Sequence, residues 1–228
     1  AHYAVQKPDE VTDLVDFKQP EISDTDLKAP IYIDFGPTSL SATPWNNITS
    51  HQESSTTSWI KDVENNYTNI GVRVLDGFTA THAGVGSEPA SPVTVDGVEF
   101  PLTAWKDGLL VKGEKNQGDV GPGRIEISQL DVARKYNFTI LAIRFNGSKD
   151  ARISSYKLVG KTESAVKEVK TGIKDAASFA AANFEEYIAK FENVEPDSEG
   201  KVIVEVKGLD TGSAAEGHIN ALCISLAK

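Results

Sequence analysis

The sequence predicts an all-β fold, an antiparallel sandwich or barrel. From Ile31 onward, about ten short segments rich in β-branched and aromatic residues follow one another, with turn residues between them. Many of these segments alternate apolar and polar residues with a period of two, the pattern typical of strands. At 228 residues, the chain is long enough for one sizeable domain with a real hydrophobic core.

Residues 1–30 differ in character from the rest of the chain. They are acidic, contain three prolines and show no sustained period, which predicts an N-terminal arm or linker. The predicted sandwich domain covers residues 31–228. Its strand segments are, in order, "IYIDF", "NIGVRVLDGF", "VTVDGVEFPL", "GLLVKG", "GRIEISQL", "YNFTILAIRF", "ISSYKLVG", "VKEVKT", "EYIAKFENV", "KVIVEVKG" and "HINALCISL".

Two of these segments predict how the strands are buried. In "KVIVEVKG", Val202, Val204 and Val206 face one way and mostly polar residues face the other, so one face contacts the core and the other faces solvent. In "YNFTILAIRF" both alternating sets are apolar. We therefore expect this segment to be a central strand.

One alanine-rich segment departs from the strand pattern. "GIKDAASFAAANFEEYIAKF" places Ile173, Ala177, Ala180 and Phe184 at helical spacing, and its alanine content favours a helix. From residue 186 onward the same sequence also fits a hairpin whose loop is 196–200. We predict a short helix near 174–183 and a strand at 186–194.

Composition excludes some partners. The formal net charge of −10 argues against nucleic acid, because phosphate binding needs clustered Lys and Arg. No segment approaches the roughly 18 apolar residues that a membrane-spanning helix needs. The single cysteine, Cys223, lies with His218 in the segment "HINALCISL", where their odd spacing places them on opposite faces of one predicted strand. We expect Cys223 to be a small buried hydrophobe.

Motifs for catalysis or metal binding are weak. The chain has no G-x-S-x-G, and its four histidines lie in no catalytic motif. A glycosidase needs only two carboxylates at a fixed separation, so the 33 acidic residues leave that chemistry open. The segments "DSEG" (197–200) and "NQGD" (116–119) lack the alternating oxygen ligands of an EF-hand. A structural calcium ion held partly by backbone carbonyls stays open, and no other cofactor is expected.

Tryptophans beside polar residues predict a ligand site. Trp45 precedes Asn46 in a predicted loop, and Trp105 lies two residues before Asp107. A sugar has an apolar face for an aromatic ring and a rim of hydroxyls for short polar side chains. The alternative for each tryptophan, including Trp59, is a place in the core or a lid over the end of the sandwich.

The order of several motifs resembles a known family. "YIDFGP", "PWNNIT", "GVRVLDGF", "FPLTAWKDGLLV", "IEISQLDVARKYNFTILAIRF", "ISSYKLVG", "NVEPDSEGKVIVEV" and "GHINALCISL" together resemble the galactose-binding-like jelly-roll domains, which are related to malectin-like domains and carbohydrate-binding modules. Such domains occur in secreted and surface proteins of polysaccharide-degrading bacteria. The resemblance extends from about Ile31 to the C-terminus.

The resemblance implies a two-sheet jelly roll with loops gathered at its ends. It implies that the "DFG" strand pairs with the "INAL" strand, and that Trp45, Asn46, Arg144 and Arg152 lie near one end of the sandwich. The alanine-rich "DAASFAAANF" departs from the family, which commonly has a short turn there. The expected ligand-binding residues are thus Trp45, Asn46, Trp105, Asp107, Arg144 and Arg152.

Three functions remain open at this stage. The first is a non-catalytic carbohydrate-binding or accessory domain, secreted or at the cell surface, that holds a polysaccharide or oligosaccharide near a linked catalytic domain. The second is a structural or protein-interaction module of a surface assembly. The third is a glycoside hydrolase or a lyase. The acidic arm at residues 1–30 is expected to tether the domain to another domain or to a lipid anchor.

Overall fold

The computed structural model describes residues 27–38, 40–112, 122–145, 152–209 and 216–228. Residues 1–26 of the arm predicted at 1–30, and the "NQGD" segment, lie outside these ranges. The strands are β1 (Ile31–Phe35), β2 (Trp45–Ile48), β3 (Thr56–Thr57), β4 (Gly71–Asp76), β5 (Ala80–His82), β6 (Val93–Val95), β7 (Val98–Phe100), β8 (Gly108–Lys112), β9 (Gly123–Ser128), β10 (Tyr136–Leu141), β11 (Arg144–Phe145), β12 (Ile153–Val159), β13 (Lys167–Lys170), β14 (Gly172–Ile173), β15 (Ile188–Val194), β16 (Val202–Gly208), β17 (Glu216–Ile219) and β18 (Ala221–Leu226). The helices are α1 (Leu102–Trp105) and α2 (Ala176–Ala180), and a 3₁₀ turn covers Phe184–Tyr187.

The fold is the predicted β-sandwich. The first sheet has the order β15-β10-β18-β1-β2 and the second sheet has the order β13-β12-β16-β9-β4-β3. A third sheet, β17-β8-β5, and two strand pairs, β11-β14 and β6-β7, accompany them. Pairing is antiparallel except between β1 and β2 and between β11 and β14. Strands β1 and β18 pair with Asp34 opposite Ala221, as the resemblance implies.

The main core lies between the first and second sheets. Alternate residues of both sheets meet in one apolar cluster, including Ile33 from β1, Phe138 from β10 and Val204 from β16. Val202, Val204 and Val206 are fully buried, so the period-two prediction for "KVIVEVKG" is confirmed. Burial of this apolar surface is the main stabilising term of such a sandwich.

The first sheet is covered on its other face as well. Leu141, Ala221 and Cys223 belong to a second apolar cluster, whereas their strand neighbours belong to the main core. The second cluster is completed by side chains of β6, β7, α1 and α2, including Trp105 and Phe179. Since β10 pairs with β15 on one side and with β18 on the other, the prediction of a central strand for "YNFTILAIRF" is confirmed.

The alanine-rich segment forms a helix and a 3₁₀ turn before the strand. Asp175 caps α2 by accepting a hydrogen bond from the Ser178 N–H, and Asn183 accepts one from the Glu185 N–H. Strand β15 follows, close to the predicted 186–194. The hairpin interpretation is wrong, because β15 pairs with β10 in the first sheet and β16 pairs with β12 and β9 in the second. The turn at 196–200 therefore crosses between sheets.

The C-terminal segment is two strands rather than the single predicted strand. Asn220 separates β17, which pairs with β8 in the third sheet, from β18 in the first sheet. Its side-chain nitrogen donates to the carbonyl oxygens of Trp105, Asp107 and Ile143, and its side-chain oxygen accepts from the Ile143 N–H. Asn220 is fully buried. This one side chain joins three parts of the chain at the end of the sandwich.

Within the described ranges, no helix has the length and apolar character to cross a membrane.

We predict that Asn220→Ala destabilises the fold by about 3 kcal/mol or more, because it leaves several buried backbone groups without partners. Chemical denaturation measures the change. Asn137→Ala is the matched control, since Asn137 on β10 makes one exposed hydrogen bond, to the Asn193 N–H, and should cost about 1 kcal/mol or less. Equal losses in the two variants would contradict the role given to Asn220.

Candidate functional site

A group of polar side chains is buried where the third sheet meets β11, β12 and β14. His82 on β5 and His218 on β17 lie with their rings at 83° and their centroids 5.1 Å apart. Arg152 Nη2 lies 3.0 Å from Glu216 Oε2. The group, which we call the arginine–histidine cluster, consists of His82, Arg144, Arg152, Thr171, Glu216 and His218.

Backbone hydrogen bonds hold the two arginines at a fixed separation. The Arg144 N–H donates to the Thr171 carbonyl oxygen over 2.7 Å, and the Thr171 N–H donates to the Arg152 carbonyl oxygen over 2.9 Å. Thr171 thus lies between the two arginines in this ladder of backbone hydrogen bonds, and it is itself fully buried. Because Ile143, the neighbour of Arg144, is bonded to Asn220, the position of Arg144 relative to β8 is also fixed.

The histidines are positioned through their backbones and through close strand contacts. The His218 N–H donates to Ser154 Oγ over 2.8 Å, and the Tyr156 hydroxyl donates to the His218 carbonyl oxygen. A Cβ on Gly108 would lie 2.5 Å from the Ile219 carbonyl oxygen and 3.0 Å from His82 Nε2. Only glycine therefore allows β8 to approach this closely at that position.

Many polar atoms of the cluster are buried without a hydrogen bond. These atoms are both ring nitrogens of His82 and of His218, Nε and Nη1 of Arg144 and of Arg152, and Oγ1 of Thr171. His218 Nε2 lies 3.6 Å from Glu216 Oε2, too far for a hydrogen bond. Arg152 is 2% exposed, whereas Arg144 is partly exposed. The cluster thus reaches the surface at Arg144.

Burial controls protonation in the cluster. It lowers the pKa of His218 to about 4 and that of His82 well below its usual value, so both rings are neutral at pH 7. Burial also lowers the pKa of Arg144 and of Arg152, while the Glu216 carboxylate acts in the opposite direction. Arginine still keeps its charge at neutral pH, so the cluster combines one buried and one partly exposed cation with two neutral rings.

The six predicted site residues fall into three places. Arg144 and Arg152 belong to the arginine–histidine cluster. Trp105 is fully buried, its indole N–H donates to the Ser91 carbonyl oxygen, and its ring stacks on Phe179. The nearby Asp107 is also fully buried, and its Oδ2 accepts hydrogen bonds from the backbone N–H and the hydroxyl of Thr38.

Trp45 and Asn46 lie elsewhere, on β2 at the edge of the first sheet. The prediction of a loop here is wrong, because Trp45 pairs in parallel with Tyr32 of β1. Its ring centroid lies 5.1 Å from that of Tyr32 and 5.6 Å from that of Phe100. The Asn46 side chain bonds both the N–H and the carbonyl oxygen of Lys61. These contacts close the edge of the sheet.

Sequence reasoning missed His82, His218, Thr171 and Glu216 as site residues. The available signal was a histidine at each of two strand positions surrounded by apolar residues, "ATHAG" and "GHINAL". From the sequence alone, such a histidine is interpreted as a core residue. Its partners in the cluster come from strands that are distant in sequence, so the sequence does not reveal them.

A second buried polar group lies near Asp107. Asp34 on β1 is fully buried; its Oδ2 accepts the Ser41 N–H over 3.1 Å, and its Oδ1 has no hydrogen bond. Burial raises the pKa of Asp34 to about 7; hydrogen bonds from Ser41 lower it, and the Asp107 carboxylate raises it further. Among the described residues, no three His, Cys, Asp or Glu side chains are grouped to hold a metal ion. The calcium prediction, which rests on backbone carbonyls, stays a prediction.

Comparisons with known proteins give structural matches only. No family model matches the chain, and no curated protein matches it. The structure is similar to the carbohydrate-binding module TmCBM61 in complex with β-1,4-galactotriose, at 16% identity and a TM-score of 0.29 over 53% of this chain and 71% of that one.

Two further matches have the same character. One is the CBM36-1 domain of a multidomain xylanase from the hindgut metagenome of Trinervitermes trinervoides (11% identity, 62% of this chain, 90% of that chain, TM-score 0.32). The other is the ANX2 ectodomain from Arabidopsis thaliana (10% identity, 86% and 42%, TM-score 0.35). With TM-scores this low, function has to be inferred from the residues of this chain.

We predict that Asp34→Asn stabilises the protein increasingly as the pH rises from about 4 to about 8. The folded-state pKa of about 7 lies above the unfolded value of 3.8, so the fold favours protonated Asp34 and loses stability as the carboxyl ionises. Asparagine keeps an acceptor for Ser41 but carries no charge. The full gain should be on the order of a few kcal/mol.

The measurement compares the unfolding free energies of the variant and the wild type at several pH values. The buried histidines cost stability as the pH falls, but both proteins contain them, so their effect cancels in the difference. A pH-independent difference for Asp34→Asn would contradict the prediction.

Proposed function

We propose that this chain is a non-catalytic carbohydrate-binding domain whose ligand site is the arginine–histidine cluster. The observation that carries the proposal is the set of buried hydrogen-bonding atoms without partners on His82, Arg144, Arg152 and His218. In folded proteins, the large majority of buried polar groups are paired. An unpaired buried donor costs about 1 to 3 kcal/mol, so a group of them in one place calls for an external partner.

The chemistry of the unpaired atoms fits a polyhydroxylated ligand. Arginine N–H groups only donate, whereas a neutral histidine donates from one ring nitrogen and accepts at the other. Sugar hydroxyls both donate and accept, so they can pair with arginine and with neutral histidine alike. The partly exposed Arg144 gives such a ligand a way to the cluster from the surface.

The location also fits a binding site. Arg144, Arg152 and His218 lie at or near strand ends, where β11, β12 and β17 begin or end. Binding residues are often carried by connecting segments at the ends of a rigid scaffold. We expect weak affinity for a single site, with a Kd of about mM to tens of µM, or about 4 to 7 kcal/mol.

A glycoside hydrolase or a lyase is the least supported of the three functions. Glycoside hydrolysis uses two carboxyl groups at a fixed separation. Two carboxylates favour the charged form of Arg144, and both have other partners in the structure. Glu216 pairs with Arg152, and Glu88 accepts the N–H groups of Val85 and Gly86. These contacts support binding rather than catalysis.

Export and a linked catalytic domain belong to the same proposal. A domain secreted or held at the cell surface would keep a polysaccharide near an enzyme acting on it. This part is based on the family resemblance of the sequence, and secretion assays on the full-length gene product test it.

We predict that Arg144→Met abolishes retardation of the protein by its glycan in affinity gel electrophoresis against a panel of plant, microbial and host polysaccharides. Its unfolding free energy should be unchanged or higher, because an unpaired buried cation costs stability that an apolar side chain does not. Arg73→Met, on β4 of the second sheet, is the matched control and should bind like the wild type. Retention of binding by Arg144→Met would contradict the proposed site.

The structural or protein-interaction module is the second candidate, and the full burial of Trp105 favours it. We predict that Trp105→Ala costs about 3 to 5 kcal/mol of stability, because it removes a fully buried ring from the second apolar cluster. Thermal unfolding measures the loss, with the partly exposed Trp59 replaced by alanine as the control. If every glycan fails to retard the wild type, the structural module replaces the binding domain as the proposed function.

A further inference from the structure

We propose that the group bound at Arg144, Arg152 and Thr171 is an oxyanion, so the ligand is an acidic glycan bearing a uronic acid carboxylate or an ester sulfate. This inference rests on the proposed function, since it names the class of carbohydrate that the same site takes. It goes further in one respect, because a neutral sugar would satisfy hydrogen bonds but would leave Arg144 without an ion-pair partner among the described residues.

Only one of the two arginines has an ion pair among the described residues. Arg152 pairs with Glu216 at 3.0 Å. Arg144 forms no ion pair with any residue in the described ranges, and its Nε and Nη1 are buried. Glu88 favours the charged form of Arg144, but it is partly exposed and its oxygens accept backbone N–H groups of Val85 and Gly86.

The histidines of the cluster add no charge to the site. His82 and His218 are neutral at pH 7, since burial lowers both pKa values. Burial also remains the first cause acting on the pKa of Arg144 and of Arg152, in spite of Glu216. A buried cation is costly unless it is paired, so an anion entering here removes a penalty that the free protein carries.

Three residues with unpaired buried donors are neighbours on one backbone ladder. Arg144 and Arg152 are held on either side of Thr171 by backbone hydrogen bonds of 2.7 and 2.9 Å. The Thr171 hydroxyl is buried without a partner and can donate to an anion oxygen. Hydrogen bonds from cationic donors to an anion are roughly twice as strong as neutral ones. We therefore assign the two arginines and this hydroxyl as the donors to the oxyanion.

The surrounding charge makes this site unlike a basic surface patch. The chain has a formal net charge of −10, so an acidic glycan is repelled at long range and attracted only on contact. Salt screens exposed charges much more than buried ones. We therefore expect acidic-glycan binding to persist from low to physiological ionic strength, whereas binding to a surface patch would weaken strongly.

The experiment uses one glycan in two charge states. Isothermal titration of the full chain compares polygalacturonate with its fully methyl-esterified form, which keeps the sugar hydroxyls and loses the carboxylate charge. A sulfated galactan and its desulfated form make the second pair, and inorganic sulfate tests the anion alone. We expect at least tenfold weaker binding to the neutral member of whichever pair binds. The pair that binds identifies the source of the oxyanion.

Variants at Thr171 test the site without removing a charge. Thr171→Val should weaken acidic-glycan binding by roughly threefold to tenfold through loss of one hydrogen bond to a charged group. Thr171→Ser keeps the hydroxyl and should bind like the wild type. If neither variant changes binding while both fold, the oxyanion is not bound here and the inference is overturned.

The two proposals fail in different ways. Equal binding to the charged and neutral members of a pair, or binding of neutral glycans only, overturns the oxyanion and leaves the carbohydrate-binding domain standing. Binding of inorganic sulfate with no binding of any glycan overturns the proposed function and leaves an anion site. No binding of any probe overturns both.

Discussion

The end of this sandwich depends on the hydrogen bonds of one buried amide. Asn220 joins the segment between α1 and β8 to β11 through its side chain, and its backbone bonds Leu141 of β10 and Phe35 of β1. These bonds let the chain pass from the third sheet to the first within one residue. They add to the ladder between β17 and β8 and to the bond from Arg144 to Thr171, and so link both to the first sheet.

Satisfied and unsatisfied polar groups lie side by side in this region. The side-chain nitrogen and oxygen of Asn220 both have hydrogen-bond partners, including the backbone of Ile143. Arg144 is the next residue in the sequence, and two of its nitrogens are buried without a hydrogen-bond partner. The same end of the sandwich thus holds a fully paired amide and a group of unpaired arginine and histidine atoms.

The alternation of apolar and polar residues along the sequence predicted much of the fold but little of the candidate site. Val202, Val204 and Val206 alternate in the sequence, and alternation alone determines which face is buried. The turn at 196–200 has the same residues whether it closes a hairpin or crosses between sheets, so the partner of β15 could not be predicted. Trp45 is in a strand only because β1 lies beside it. Arg144 and Arg152 were expected from the resemblance, whereas His82 and Thr171 join them through pairings distant in sequence.

The register of the first sheet sets how this domain would sit in a larger protein. Ile31 and Leu226 lie at one end, where β1 begins and β18 ends, while Phe35, Leu141 and Ala221 lie at the other. The two ends are about 16 Å apart for five residues of strand. The outer ends of β1 and β18 therefore lie at the end of the first sheet opposite Arg144, which follows β10 in the chain. A ligand that contacts Arg144 would therefore meet the first sheet at the end away from the outer ends of β1 and β18.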